Sequence, residues 1–218
     1  MTEQHEFDKD YWERHWHQTH HDRPGAMSTS PAHPYLARET GALVPGSALD
    51  AGCGAGAEAI WLATHGWQVT AVDIAPVALA RAAERATDSG VSERVRWVEA
   101  DLTAWVPETR FDLVTTHYAH PAMPQLGFYQ RIAGWVAPGG TLLIVGHLHS
   151  NEATGQGHGH AHGHGHHPPD EASVTLADIT AGLDNASWEI VTAEEQRRTM
   201  PGREAPLSDV VVRATRRP

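Results

Sequence analysis

The chain is poor in cysteine: Cys53 is the one thiol among 218 residues, which excludes an intramolecular disulfide framework. It also lacks any apolar run near the ~20 residues needed to cross a bilayer. Its opening residues show no charged-then-apolar signal pattern. The expectation from these absences is a cytoplasmic protein with no membrane contact. Excess positive charge is missing too. A formal net charge of −11 argues against a nucleic-acid partner, because phosphates are bound by surplus Lys and Arg. No internal repeat and no composition break marks a second domain. With 40% hydrophobic residues, residues 1–218 suit one α/β domain, divided into an N-terminal helix and lid over 1–34, a core, and a histidine-rich insert over 149–170. What the chain has in surplus is histidine, 17 in all.

The stretch that organises the rest is Ala48-Leu49-Asp50-Ala51-Gly52-Cys53-Gly54-Ala55-Gly56-Ala57-Glu58-Ala59-Ile60. It reads as a short buried strand, a glycine turn and a helix. The glycines permit a tight turn and close approach of a ligand to the backbone, with the open N–H groups of a helix N-terminus just behind. Further on, Gln68-Val69-Thr70-Ala71-Val72-Asp73 is a second strand ending in an acid. Strand, glycine turn, helix and acid-tipped strand make a nucleoside half-site, in which Asp73 accepts from the ribose hydroxyls. The spacing Gly52-x-Gly54-x-Gly56 differs from the dinucleotide pattern, and Asp50 upstream would repel a pyrophosphate while suiting a cation. Cys53, inside the turn, reads as a small packed residue lining the site.

Strands are predicted over 47–50, 67–73, 95–99, 111–116, 141–145, 188–193 and 210–214, and helices over 7–16, 34–42, 57–64, 76–87, 125–136 and 175–183. Residues 17–34 read as a loop, rich in Pro, Gly and Ser. Alternating elements give a parallel sheet covered on both faces. No helical pattern separates the last two strands, so they form an antiparallel hairpin. Asp101, with Leu102, follows the third strand, where an acid can reach an adenine amine.

Several of these segments resemble the class I S-adenosylmethionine-dependent methyltransferases. Leu49-Asp50-Ala51-Gly52-Cys53-Gly54-Ala55-Gly56 resembles their first motif, and Val72-Asp73-Ile74-Ala75 their ribose motif. Asp112-Leu113-Val114 and Ala137-Pro138-Gly139-Gly140-Thr141-Leu142 resemble their fourth strand and the turn into the fifth. Tyr11-Trp12-Glu13-Arg14-x-Trp16, with Ile60-Trp61-Leu62-Ala63-x-x-Gly66-Trp67, is similar to the tellurite-resistance and thiopurine methyltransferase-like branch. The resemblance implies a Rossmann-like, seven-stranded, mostly parallel sheet with helices on both faces and an antiparallel C-terminal edge strand. It also implies an S-adenosylmethionine site that includes Asp50, Gly52, Cys53, Gly54, Gly56, Asp73, Ile74, Asp101 and Leu102. The acceptor it implies is small, either a metalloid oxyanion or thiol, or an oxygen or nitrogen nucleophile of a metabolite.

In a parallel sheet the ligand lies outside the carboxyl ends of the strands. His117, Tyr118 and His120 follow strand four there, and His147 follows strand five. Histidine is the side chain poised to take a proton near neutral pH, so these four are the catalytic candidates. His117 has a second reading, as a neighbour of the cofactor. Trp16, on the N-terminal helix with Tyr11, Trp12 and His15, is a candidate aromatic lid over the cofactor. The tract His158, His160, His162, His164, His166 and His167 has three readings. It is a glycine-loosened loop, a site for Zn, Ni or Cu, or a lid that handles substrate. A metal-binding or metal-sensing protein that keeps a nucleoside pocket is the rival to the enzyme.

Overall fold

The N-terminal end is α1 (Lys9–Asp22), followed by α2 (Pro34–Thr40). The core then runs β1 (Ser47–Ala51), α3 (Ala57–Thr64), β2 (Gln68–Asp73), α4 (Pro76–Asp88), β3 (Val95–Glu99), β4 (Phe111–His117), α5 (Gln125–Ala133) and β5 (Val136–His147). The chain ends with α6 (Leu176–Ala181), β6 (Trp188–Arg198) and β7 (Leu207–Arg216). This computed structural model describes residues 7–22, 30–148, 174–198 and 207–218. Among them, seven strands pair in the order β3-β2-β1-β4-β5-β7-β6. The first five are parallel, and β7 lies antiparallel between β5 and β6. The expected mostly parallel seven-stranded sheet is observed, and its antiparallel C-terminal element is the edge pair β7–β6, with the reversed strand β7 inside and β6 at the edge.

Each face of the sheet has its own apolar layer. Leu49, Val72, Val114, Leu142, Val210 and Val212 pack with Phe128, Ile132 and Ile179 of α5 and α6. Ala48, Ala71, Leu113, Leu143, Val145 and Val211 pack with Leu36 of α2, Ile60 and Leu62 of α3 and Leu79 of α4. The period-two alternation of strand side chains makes these two sets. Helix α4 shows why its sequence folds as it does. Pro76 opens it at a position where the missing N–H costs nothing. Ala78, Leu79, Ala82 and Ala86 then form its buried face.

Some ends differ from expectation. Helix α1 continues to Asp22, across residues read as loop. Residues 17–22 carry no apolar side chain for periodicity to register, whereas a helix once nucleated propagates cheaply. Asp8 starts it by accepting from the Tyr11 N–H at 2.8 Å. Strand β5 begins at Val136, paired with Phe111, and passes through Pro138-Gly139-Gly140 across an irregularity opposite Asp112. A Cβ on Gly140 would meet the Asp112 and Ala137 carbonyl oxygens at 2.9 Å, so glycine lets the strand keep its pairing there. The other end of β5 matters more. It reaches His147, which lies opposite Asp209 of β7.

Candidate functional site

The turn after β1 is held from both sides. The Gly52 and Cys53 N–H groups donate to the Val72 carbonyl at 2.9 and 3.0 Å, and the Gly56 N–H closes back on Cys53 O at 2.8 Å. Gly52, Gly54 and Gly56 sit at φ of +81°, +50° and +75°, a region that non-glycine residues rarely enter. A Cβ on Gly52 would collide with the Ala119 methyl, so the segment after β4 lies directly against the turn. Asp73 at the tip of β2 accepts from the Gly54 N–H at 2.8 Å through Oδ2 and from the Ala75 N–H at 2.9 Å through Oδ1. Burial raises its carboxyl pKa, opposed by these backbone donors. The Ile74 backbone opposes it too, and a carboxylate with about four lone-pair sites still has capacity for a ligand hydroxyl.

Asp50 is only 1% exposed, and its Oδ2 is buried with no hydrogen-bond partner. Burial holds its carboxyl well above the usual range, and the Glu58 and Asp73 carboxylates push the same way. A cation arriving beside it would reverse that balance. Glu58, which the motif reading passed over, accepts from the His33 N–H at 3.0 Å and ties the entry of α2 to the glycine turn. Burial pushes the Cys53 thiol well above its ordinary range, so Cys53 packs and is not a nucleophile. Ile74 is half-buried in the turn after Asp73. Asp101 is exposed and accepts from the Thr103 N–H at 2.8 Å, while Leu102 is buried in the core. The Ala100 N–H donates to Asp73 O, which fixes this segment beside the half-site.

Helix α1 lies across the turn. Trp16 is 5% exposed, and a Cβ on Gly54 would come within 2.9 Å of its indole. Trp12 donates its indole N–H to His120 O at 3.2 Å, and Phe7 stacks on Trp12. The helix thus bridges the cofactor turn and the segment after β4.

That segment and the end of β5 bring the catalytic candidates together in part. Tyr118 and His147 have ring centroids 4.4 Å apart, and His120 lies 6.4 Å from His147. Among the described residues, Tyr118 is the non-glycine residue with positive φ, at +55°. Its hydroxyl is 3.4 Å from His33 Nε2. His120 shares a hydrogen bond of 3.1 Å with Gln125, and burial lowers its pKa, with His147 adding to the effect. His117 stands apart from this group. Its Nδ1 is 3.3 Å from Thr115 Oγ1, its Nε2 is buried with no hydrogen-bond partner, and burial holds the ring toward the neutral form. Residues that sequence reasoning missed are His33, Gln125 and Asp209. Asp209 is fully buried, with Oδ1 3.5 Å from His147 Nδ1. Its one signal in the sequence is an acid opening an apolar run, and that reveals nothing without the strand register. The tract His158–His167 lies outside the described residues. Among the described ones, no group of three His, Cys, Asp or Glu is placed to hold a metal ion.

Residues 48–140 match a family described as a methyltransferase domain. Those residues are a methyltransferase domain. The domain is 40% identical over 99 residues to an uncharacterized methyltransferase of Mycobacterium bovis, an alignment covering 44% of this chain and 48% of that protein. The chain spans about half the length, or less, of the curated relatives it matches first. Among solved structures it is similar to TehB from Haemophilus influenzae, with a TM-score of 0.68 at 14% identity over 88% of this chain and 64% of that one. It is also similar to the N-methyltransferase NodS from Bradyrhizobium japonicum bound to S-adenosylhomocysteine, at 0.67 and 17% over 94% and 98%. At these identities the likeness is one of fold.

The residues of the methyltransferase domain fit S-adenosylmethionine. Asp73 would hold the ribose hydroxyls, the positive-φ glycines would let the backbone approach, and the unpartnered Asp50 oxygen would meet cationic charge. When bound, the cofactor supplies an activated methyl group.

Proposed function

We propose that the chain transfers a methyl group from S-adenosylmethionine to a small-molecule acceptor. The observation that carries this is the Asp73 carboxylate, fixed by the Gly54 and Ala75 N–H groups beside a glycine turn and a buried, unpartnered Asp50 oxygen. The turn fixes where a nucleoside sits, and Asp50 selects a cationic one. Methyl transfer is an in-line displacement, so the chain's tasks are to align an acceptor and, where the acceptor carries a proton, to remove it. A metalloid oxyanion or a thiol is one acceptor class, consistent with the resemblance of Tyr11–Trp16 to the tellurite-resistance branch. An oxygen or nitrogen nucleophile is the other, and the imidazoles and phenol at the rim favour it. Neither a nucleic acid nor a membrane is part of the proposal, since the charge is acidic and no helix among the described residues is long and apolar enough to cross a membrane. The low cysteine count supports a cytoplasmic location. Capture of Zn, Ni or Cu by His158–His167 rests on the sequence pattern alone.

The test is calorimetry with S-adenosylhomocysteine, followed by cofactor turnover against a panel of thiols, tellurite, selenite and phenols. Binding with turnover of one class is the expected result. Absence of cofactor binding would refute the reading.

A further inference from the structure

The other side of the site holds an imidazole–carboxylate pair that the methyltransferase motifs do not contain. β5 and β7 pair antiparallel, with His147 opposite Asp209. In-register partners share a face of the sheet, so both side chains lie on the side that α2 and α3 cover. Asp209 is fully buried, while the His147 side chain is 26% exposed. The nitrogen turned to the carboxylate is Nδ1, at 3.5 Å. At that distance the contact is longer than a good hydrogen bond. An acid buried in a strand is costly unless it is paired. Here one partner is an imidazole whose other nitrogen, Nε2, becomes the basic one when Nδ1 carries the proton.

Around His147 the groups are flat and aromatic. Tyr118 lies 4.4 Å away in a left-handed backbone conformation, which is uncommon for a bulky residue. His33 from the start of α2 lies 5.7 Å beyond Tyr118, and His120 lies 6.4 Å from His147. The titratable groups facing His147 are therefore Asp209 from β7, Tyr118 and His120 from the segment after β4, and His33 from α2 through Tyr118. The same segment touches the cofactor turn, through Ala119 against Gly52. His117 lies one strand away, with its free nitrogen buried.

We propose that His147, oriented by Asp209, is the general base of this methyl transfer, and that the acceptor it serves is a small aromatic hydroxyl compound. This rests on the methyltransferase reading above. A tellurite-like oxyanion needs no base, and a thiol ionises in part near neutrality, whereas a phenolic hydroxyl ionises only near about pH 10. A base matters most for such an acceptor, and flat rings around it suit a flat substrate. The proton of the hydroxyl passes to His147 Nε2 and then to solvent. The acceptor oxygen forms its bond to the methyl carbon as the carbon–sulfur bond breaks, and that electron pair stays on sulfur. Asp209 is a positioning residue.

The full-length protein, saturated with S-adenosylhomocysteine, is titrated with 4-nitrophenol at a pH below the probe's own ionisation. The nitrophenolate absorbance is expected to rise on binding to wild type, to vanish in His147→Ala and to weaken in Asp209→Asn. In turnover, His147→Ala should lower methylation of phenol by about a hundredfold or more and methylation of ionised 4-nitrophenol far less, with added imidazole restoring part of the phenol rate. Equal losses for both phenols, no absorbance change in wild type, or a wild type that methylates thiols or tellurite but no phenol would each overturn the proposal. Calorimetry with S-adenosylhomocysteine separates the two levels. If the cofactor product binds while the phenol experiments fail, only the base and acceptor assignments fall. If it does not bind, the methyltransferase reading falls first. Should Asp209→Asn fail to fold, His147→Ala on the exposed rim carries the test.

Discussion

The two sides of the site are built from different materials. On the cofactor side the chemistry is fixed by backbone. Two N–H groups hold Asp73, two more bind Val72 O, and three glycines occupy conformations that other residues avoid. On the proposed acceptor side the groups are side chains from four places: His33 before α2, Tyr118 and His120 after β4, His147 at the end of β5, and Asp209 on β7. A backbone cradle demands particular residues at particular spacing. A side-chain cluster demands only that strands end at the right register. The first can serve one cofactor in many proteins, while the second can change its acceptor one residue at a time.

The largest effect expected is on the cradle. Gly52→Val places a Cβ into Ala119 at a φ of +81°. It should abolish cofactor binding by calorimetry and lower the melting temperature, because both the turn and the segment after β4 must move. Strain at such a position alone costs about 1–3 kcal/mol. A variant that still bound normally would show that the turn is not the cofactor's seat. Asp73→Ala is the next largest. It would remove the two proposed ribose contacts, each worth about 1.5–3 kcal/mol, and should weaken the cofactor by about a hundredfold to ten-thousandfold, with no change in which acceptors are used. A shift in acceptor preference would mean that the two sides are not separable.

Asp50 tests electrostatics with a sign. Its carboxyl pKa is raised in the folded chain, chiefly by burial. The folded state therefore holds a proton that the unfolded state releases above its ordinary pKa of about 3.9. Its contribution to stability is fully present below that value and is lost as pH rises through the raised folded pKa. Asp50→Asn should flatten this fall in melting temperature with pH, and it should also weaken a cationic cofactor. Unchanged pH dependence would show that the burial of Asp50 carries no such linkage. A smaller contrast separates His117 from His147. His117→Ala removes a ring with a buried, unpartnered nitrogen, so its loss should fall on turnover and cofactor affinity together. Loss of turnover alone, at about a hundredfold, would instead return the role of base to His117.

The same contrast explains what could be read from the chain. Asp50, the glycines and Asp73 announce the half-site because a tight turn that must admit a ligand constrains residue type and spacing locally. The mostly parallel sheet with a closing antiparallel hairpin is legible because alternation and the missing helix before the last strand leave few arrangements. His147 was visible as a candidate because it follows an apolar strand. Asp209 was not, since 62 positions separate them in the numbering and only the β5–β7 register joins them. Glu58 and His33 were hidden for a similar reason. They form a side-chain-to-backbone tie between two helices that no local pattern encodes. The run of α1 from His17 to Asp22 was missed because it has no apolar residue.

The smallest effect expected comes from replacing His158, His160, His162, His164, His166 and His167 with serine. Neither the cradle nor the rim among the described residues includes them. Cofactor affinity should therefore stay within about 0.5 kcal/mol of wild type, the range of substitutions that touch no built feature. Metal is a separate question with a separate readout. Alternating imidazoles can share a Zn, Ni or Cu ion only when neutral, so a binding isotherm for these ions should weaken as pH falls below about 6.5 and should disappear in the serine variant. Identical isotherms for the two proteins would end the metal reading. Different isotherms with the same methyl-transfer kinetics would make the tract a metal store independent of both sides of the site. A changed Michaelis constant for the acceptor, with cofactor affinity constant, would instead attach the tract to the side-chain-built rim.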